Sequence, residues 1–194
     1  MIKRKELIVS LALTLGAIPA TLSAQGPPDP VALTSAQKEA MEALSFMDGE
    51  WRGTAWTLLP TGEKHELVQT ERIGSFLGGA VKVIEGRGYE ADGTVSFNAM
   101  AVISYDPGTE AFNLRSYAQG QVGDFEFTPT EDGYEWTIPA GPMTIRYKAV
   151  ITDGTFSEVG DRIVPGQDPI RFFEMKLQRL GDTDWPAAGA VVMR

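Results

Sequence analysis

The sequence predicts an all-β protein: a closed up-and-down antiparallel barrel of about ten strands, preceded by a short helix. Three observations predict it. Apolar residues alternate with period two through long stretches, most plainly at Val95, Phe97, Ala99, Ala101, Ile103 and Tyr105, the pattern of a half-buried strand. Turn signals interrupt the alternation at short intervals, as at Pro60-Thr61-Gly62, Asp92-Gly93, Asp106-Pro107-Gly108 and Asp153-Gly154, and such spacing joins antiparallel neighbours. The first strand candidate opens Gly49-Glu50-Trp51 and the last carries Phe173, Met175, Leu177 and Arg179 on one parity. A meander that closes on itself removes its own sticky edges. Closure would set Arg179 beside Trp51 and point the arginine inward, where a guanidinium is tolerated when it stacks on an aromatic face or meets carbonyls.

Each element follows in turn. Residues 1–24 read as a secretory signal: Lys3, Arg4 and Lys5, then an apolar run from Leu7 to Ala20, then small residues ending at Ala24. Residues 25–33 read as a linker. Thr34-Ser35-Ala36-Gln37 reads as a capping box, opening a helix from Ser35 to Leu44 whose apolar face covers one barrel end. The barrel domain spans 34–181. Its strands run from about Gly49 to Leu59, His65 to Leu77, Val81 to Tyr89, Val95 to Tyr105, Phe112 to Gln119, Val122 to Thr128, Tyr134 to Ile138, Met143 to Thr152, Phe156 to Val164 and Ile170 to Leu180. Residues 182–194 form a tail containing Trp185, placed as a dimer contact or a frayed end.

Composition narrows the function. The chain has 194 residues and a net charge of −9, and loss of the signal takes the charge to about −11. That balance argues against nucleic acid, whose binding rests on Lys and Arg neutralising phosphates, and against anionic membrane surfaces. With no cysteine there is no disulfide, no thiolate metal site and no lipidated cysteine. The chain is expected to be exported, periplasmic or secreted, without a stable membrane anchor, as a monomer or homodimer.

Catalytic signatures are sparse. His65, the single histidine, sits among charges just past a turn and reads as a solvated hairpin residue; one histidine makes no zinc site unaided. Ser75 and Ser104 have no histidine relay. Gly86-Arg87-Gly88 and Gly120 to Gly123 lack the strand–glycine–helix setting of a phosphate loop. What remains are polar residues within strands. Asn98, Arg115, Tyr117, Trp136 and Tyr147 are the candidates for lining a ligand cavity, since every second side chain of a barrel strand faces in; parity alone leaves open which face that is. An inward Arg115 would favour an anionic head group through charge-assisted hydrogen bonds. Glu71 or Glu85 beside Tyr117 or Tyr147 would suit proton transfer, because burial raises a carboxyl pKa toward neutrality.

With Gly49-Glu50-Trp51 after a short helix, ten strands, and a last strand ending in Arg179, the chain resembles the calycin superfamily of lipocalins, fatty-acid-binding proteins and nitrobindin-like barrels. Within it, the chain is most similar to the DUF1579 group of bacterial exported proteins. The resemblance covers roughly Leu44 to Leu180 and implies that Trp51 and Arg179 form the barrel-closing structural pair. The haem activity of nitrobindin-like barrels depends on a histidine late in the chain, which this sequence lacks, so no haem is implied, nor any metal or other cofactor. The expectation is a barrel binding a small hydrophobic or amphipathic molecule. The alternatives are a small isomerase, cyclase or lyase using cavity Glu, Tyr and Arg groups, and a ligand-free structural barrel filled by Phe112, Phe125, Phe127 and Trp136.

Overall fold

The computed structural model describes residues 29–186; the expected signal segment and the end of the tail lie outside the described residues. Helix α1 (Pro30–Glu42) and a single 3-10 turn (Ser45–Met47) lead into ten strands: β1 (Gly49–Leu58), β2 (Lys64–Phe76), β3 (Val81–Tyr89), β4 (Val95–Asp106), β5 (Ala111–Ala118), β6 (Gln121–Pro129), β7 (Gly133–Ala140), β8 (Met143–Thr152), β9 (Thr155–Ile163) and β10 (Ile170–Gly181). All neighbours are antiparallel and β1 pairs with β10, so the sheet is closed. The expected fold class is the one observed, and strand limits differ from the sequence reading by two residues at most.

The helix starts earlier than expected. Asp29 caps it, its side chain accepting from the Val31 amide at 3.0 Å, with Pro30 as the first helical residue. Proline needs no amide partner there and is preset for helical φ, so Asp29-Pro30 outcompetes Thr34 as the start. Thr34 instead donates its hydroxyl to the Pro30 carbonyl, and part of the supposed linker is helix.

The helix and the turn after it form the floor. Met41, Leu44 and Met47 are buried with Trp51, Ile73 and Ile103, and Gln37 donates to the Tyr105 carbonyl at the same end. Trp51 donates its indole N–H to the Met47 carbonyl at 3.1 Å and meets Phe156 edge-on at 5.7 Å. Beneath the floor the buried Lys82 ammonium reaches the Asp48 carboxylate at 2.5 Å.

Trp51 and Arg179 are register partners across β1 and β10, as expected. The buried, inward placement of the arginine is corrected, while the expected contact with a carbonyl is made. At this end the interior is already filled by Trp51, Met47 and Leu177, and Arg179 is exposed, donating to the Asp48 carbonyl and to Asp182. Gly49 makes room for it: a Cβ there would lie 3.0 Å from the Arg179 Nε. The tail after β10 folds back over β2. Trp185 meets Phe76 edge-on at 5.6 Å, and Arg72 bridges Glu50 and Asp184.

Candidate ligand cavity

Strand alternation and the closed register decide what faces inward. On β2 the inward row is Leu67, Gln69, Glu71 and Ile73; on β9 it is Phe156, Glu158 and Gly160. Above the floor these rows leave a cavity of about 490 Å³, within the range of small-molecule sites. Its walls are mostly apolar and aromatic, with Ile84, Ala101, Leu114, Phe125 and Phe127 among them. Ser96, Gln119 and Gln121 lie at the end remote from α1, where the hairpin tips form the mouth. The expected fillers Phe125, Phe127 and Trp136 therefore line a space instead of closing it, while Phe112 packs on Tyr105 and Phe127.

Of the five predicted site residues, the structure brings two together. Trp136 and Tyr147 are register partners on β7 and β8, and their rings stack 4.4 Å apart at 9°. Gly160 opposite Tyr147 leaves room for this ring: a Cβ would lie 3.0 Å from it. The other three face outward. Asn98 and Tyr117 are exposed, and Arg115, half exposed, bonds Asp124 and the Tyr117 hydroxyl on the outer surface. The reason is parity: Ala99, Leu114 and Ser116 take the inward positions on β4 and β5. Glu85 is likewise outside, paired with Arg87. His65 is less solvated than expected; it lines the mouth and is bonded to Glu90 at 3.1 Å.

Two acids occupy the deep part of the cavity. Glu71 is flanked by Trp51 on β1 and Gly86 on β3; its Oε1 accepts from Gln69 at 2.8 Å. Glu158 accepts from the Trp136 indole at 3.3 Å. Both are half-buried, and the surface left to them faces the cavity. Removal from water pushes the Glu71 carboxyl up to about 8, helped by the charges of Glu158 and Glu85 and opposed by Gln69. The same desolvation pushes Glu158 up to about 7, against the hydrogen bonds of Trp136 and Tyr134. Two interacting carboxyls titrate as a unit, so near neutral pH the pair holds at least one proton. Burial, reinforced by the charge on Glu158, also raises the Tyr134 and Tyr147 hydroxyls, which stay protonated as donors. No lysine or arginine lines the cavity among the described residues, and no cluster of His, Cys, Asp and Glu there is arranged to hold a metal.

Sequence reasoning named Glu71 and Tyr147 but missed Glu158 and Tyr134. The signal for Glu158 was present: it shares parity with Phe156 and Gly160 in Phe156-Ser157-Glu158-Val159-Gly160.

The barrel is of the calycin-like fold. It is similar to the crystal structure of Rv2717c from M. tuberculosis, with a TM-score of 0.55 and 17% identity over 72% of this chain and 96% of that one. A further similarity is to the S-type phycobiliprotein lyase CPES from Guillardia theta, with a TM-score of 0.49 and 8% identity over 77% and 97% of the two chains. No family model matches the chain, and no curated protein matches it.

Proposed function

We propose that this protein is an exported barrel that binds a small, largely apolar or amphipathic molecule in its cavity. The observation that carries the reading is the hollow of about 490 Å³ above a floor of buried side chains. A structural barrel of this size would gain stability by filling such a space, because voids forfeit dispersion contacts. Export rests on the residue pattern of the first 24 positions, and assignment to the DUF1579 group rests on the Gly49-Glu50-Trp51 opening and on Arg179. An anionic head group loses its support, since the arginine that would receive it is outside and the interior carries carboxyls.

The experiment is native mass spectrometry of the full chain, purified from the cells that make it, beside the denatured mass. The expected result is a discrete excess that vanishes on denaturation and is recovered in the organic extract. An unliganded mass in every preparation, together with no small molecule in the extract, overturns the reading. A second reading, a small isomerase, cyclase or lyase, is favoured by one observation: the two cavity acids hold protons near neutral pH, as general acid–base groups require. A bound molecule that returns chemically altered selects that reading.

A further inference from the structure

We propose that the ligand is an organic cation: a flat apolar body lying against Trp136 and Tyr147, with a protonated nitrogen directed down to Glu71 and Glu158. The inference rests on the cavity reading above and specifies its ligand class.

The geometry has three parts. First, the wall is built to receive a planar group. Tyr147 stacks on Trp136, and Phe173 and Phe172 meet Tyr147 edge-on at 5.8 and 5.9 Å. Aromatic faces attract cations as well as planar rings. Second, the acids are held in place. Gln69 orients one oxygen of Glu71 and Trp136 donates to one of Glu158. The Glu71 carboxylate lies over Gly86, where a Cβ would come within 2.7 Å of it. A larger residue there would occupy the space of the carboxylate. Third, the pair has no cationic partner inside. The titratable or charged groups that act on the two acids or share their inward rows are Tyr134 on β7, Tyr147 on β8, Arg162 further along β9, Glu85 on the outer side of β3, His65 at the mouth end of β2, bonded to Glu90, and Lys82 at the floor end of β3, bonded to Asp48. None of them supplies a positive charge to the carboxyls; Arg162 lies instead over the Phe172 ring at 4.8 Å. Buried carboxyls without a counter-charge hold protons, and an entering ammonium takes the place of such a proton.

Binding therefore exchanges a proton for a cation. The amine enters charged, a carboxylic proton leaves to solvent, and two charge-assisted N–H···O bonds form. Affinity then rises with pH while the amine remains protonated.

The test uses the full chain and three probes of one shape: 1-naphthylmethylamine, 1-naphthylmethanol and 1-naphthoate. Isothermal titration near pH 8, where Glu71 titrates, measures all three in two buffers of different ionisation enthalpy. The expected result is an amine bound about tenfold or more tighter than the alcohol, about 1.4 kcal/mol, with proton release seen from the buffer dependence. In Glu71→Gln and Glu158→Gln the ratio of amine to alcohol affinity falls toward one. Equal binding of amine and alcohol by the unsubstituted chain, or preference for the naphthoate, overturns the cation while leaving the cavity reading in place. Failure of all three probes overturns both. The buffer dependence needs no variant, so the inference stays testable if a substitution prevents folding.

Discussion

The carboxylate of Glu71 lies where any side chain on Gly86 would have to be. The two are register partners on β2 and β3, and a Cβ on residue 86 would sit 2.7 Å from the Glu71 Oε1. The clashing atom is the end of a flexible side chain, which can swing away. Gly86→Ala is therefore expected to cost less than about 1 kcal/mol while displacing the acid, which lowers amine affinity severalfold in the titration above. Gly133 makes the contrast. Its Cβ would lie 1.9 Å from the Ala149 carbonyl oxygen, a backbone atom with nowhere to go. Gly133→Ala is expected to lose about 2–4 kcal/mol, read from the urea midpoint.

Stability should fall as pH rises through neutrality. The unfolded chain releases the Glu71 and Glu158 protons near the ordinary carboxyl pKa of 4.5, whereas the folded chain keeps them to about 8 and about 7. Between those values the native state binds more protons, so the slope of stability against pH is negative. The contribution of the pair is fully present below about pH 4 and lost by about pH 8, on the order of a few kcal/mol. Thermal melts across this range should show a declining midpoint, with a flatter profile in Glu71→Gln. An unchanged slope in that variant would mean that Glu71 is not the titrating group.

The Lys82–Asp48 pair under the floor should behave as a buried ion pair. Lys82 has 1% of its side chain exposed and Asp48 32%. Removing only the carboxylate in Asp48→Ala strands a buried ammonium and should cost about 3 kcal/mol. Lys82→Met combined with Asp48→Ala should recover most of that loss. Denaturant melts of the two single variants and the double variant measure the coupling.

The tail docks on β2 through Trp185. Truncating that ring in Trp185→Ala removes the contact with Phe76 and loosens the Arg72–Asp184 bridge. A loss of about 1–2 kcal/mol is expected, together with faster amide exchange at residues 182–185 and little change at the cavity mouth.

How much of this was legible in the sequence differs by level. Strands were readable because alternation and turn chemistry are local: Asp153-Gly154 and Asp92-Gly93 mark their hairpins unaided. The inward face was not, because β4 and β5 carry apolar residues on both parities, Met100 and Val102 against Ala99 and Ala101, Tyr117 against Leu114. Only closure decides which row meets the floor. Polar residues in strands drew attention in proportion to their size, so the exposed Arg115 and Tyr117 outranked Glu158, whose place on the row of Phe156 was the better guide. The meeting of Glu71 and Glu158 joins strands far apart in the chain and follows from the closed register alone. The helix start was a contest between two local signals, and the proline after Asp29 decided it.

The proposed function requires that the hollow take up a ligand. Its most direct test is a titration of the full chain with 1-naphthylmethylamine, read by tryptophan fluorescence, beside Ser116→Trp. Ser116 lines the cavity, so an indole there takes up part of the space. Saturable one-to-one binding by the unsubstituted protein is expected, markedly weakened in Ser116→Trp, with the thermal midpoint retained. Equal binding by both proteins would place the probe outside the barrel and contradict uptake by the hollow.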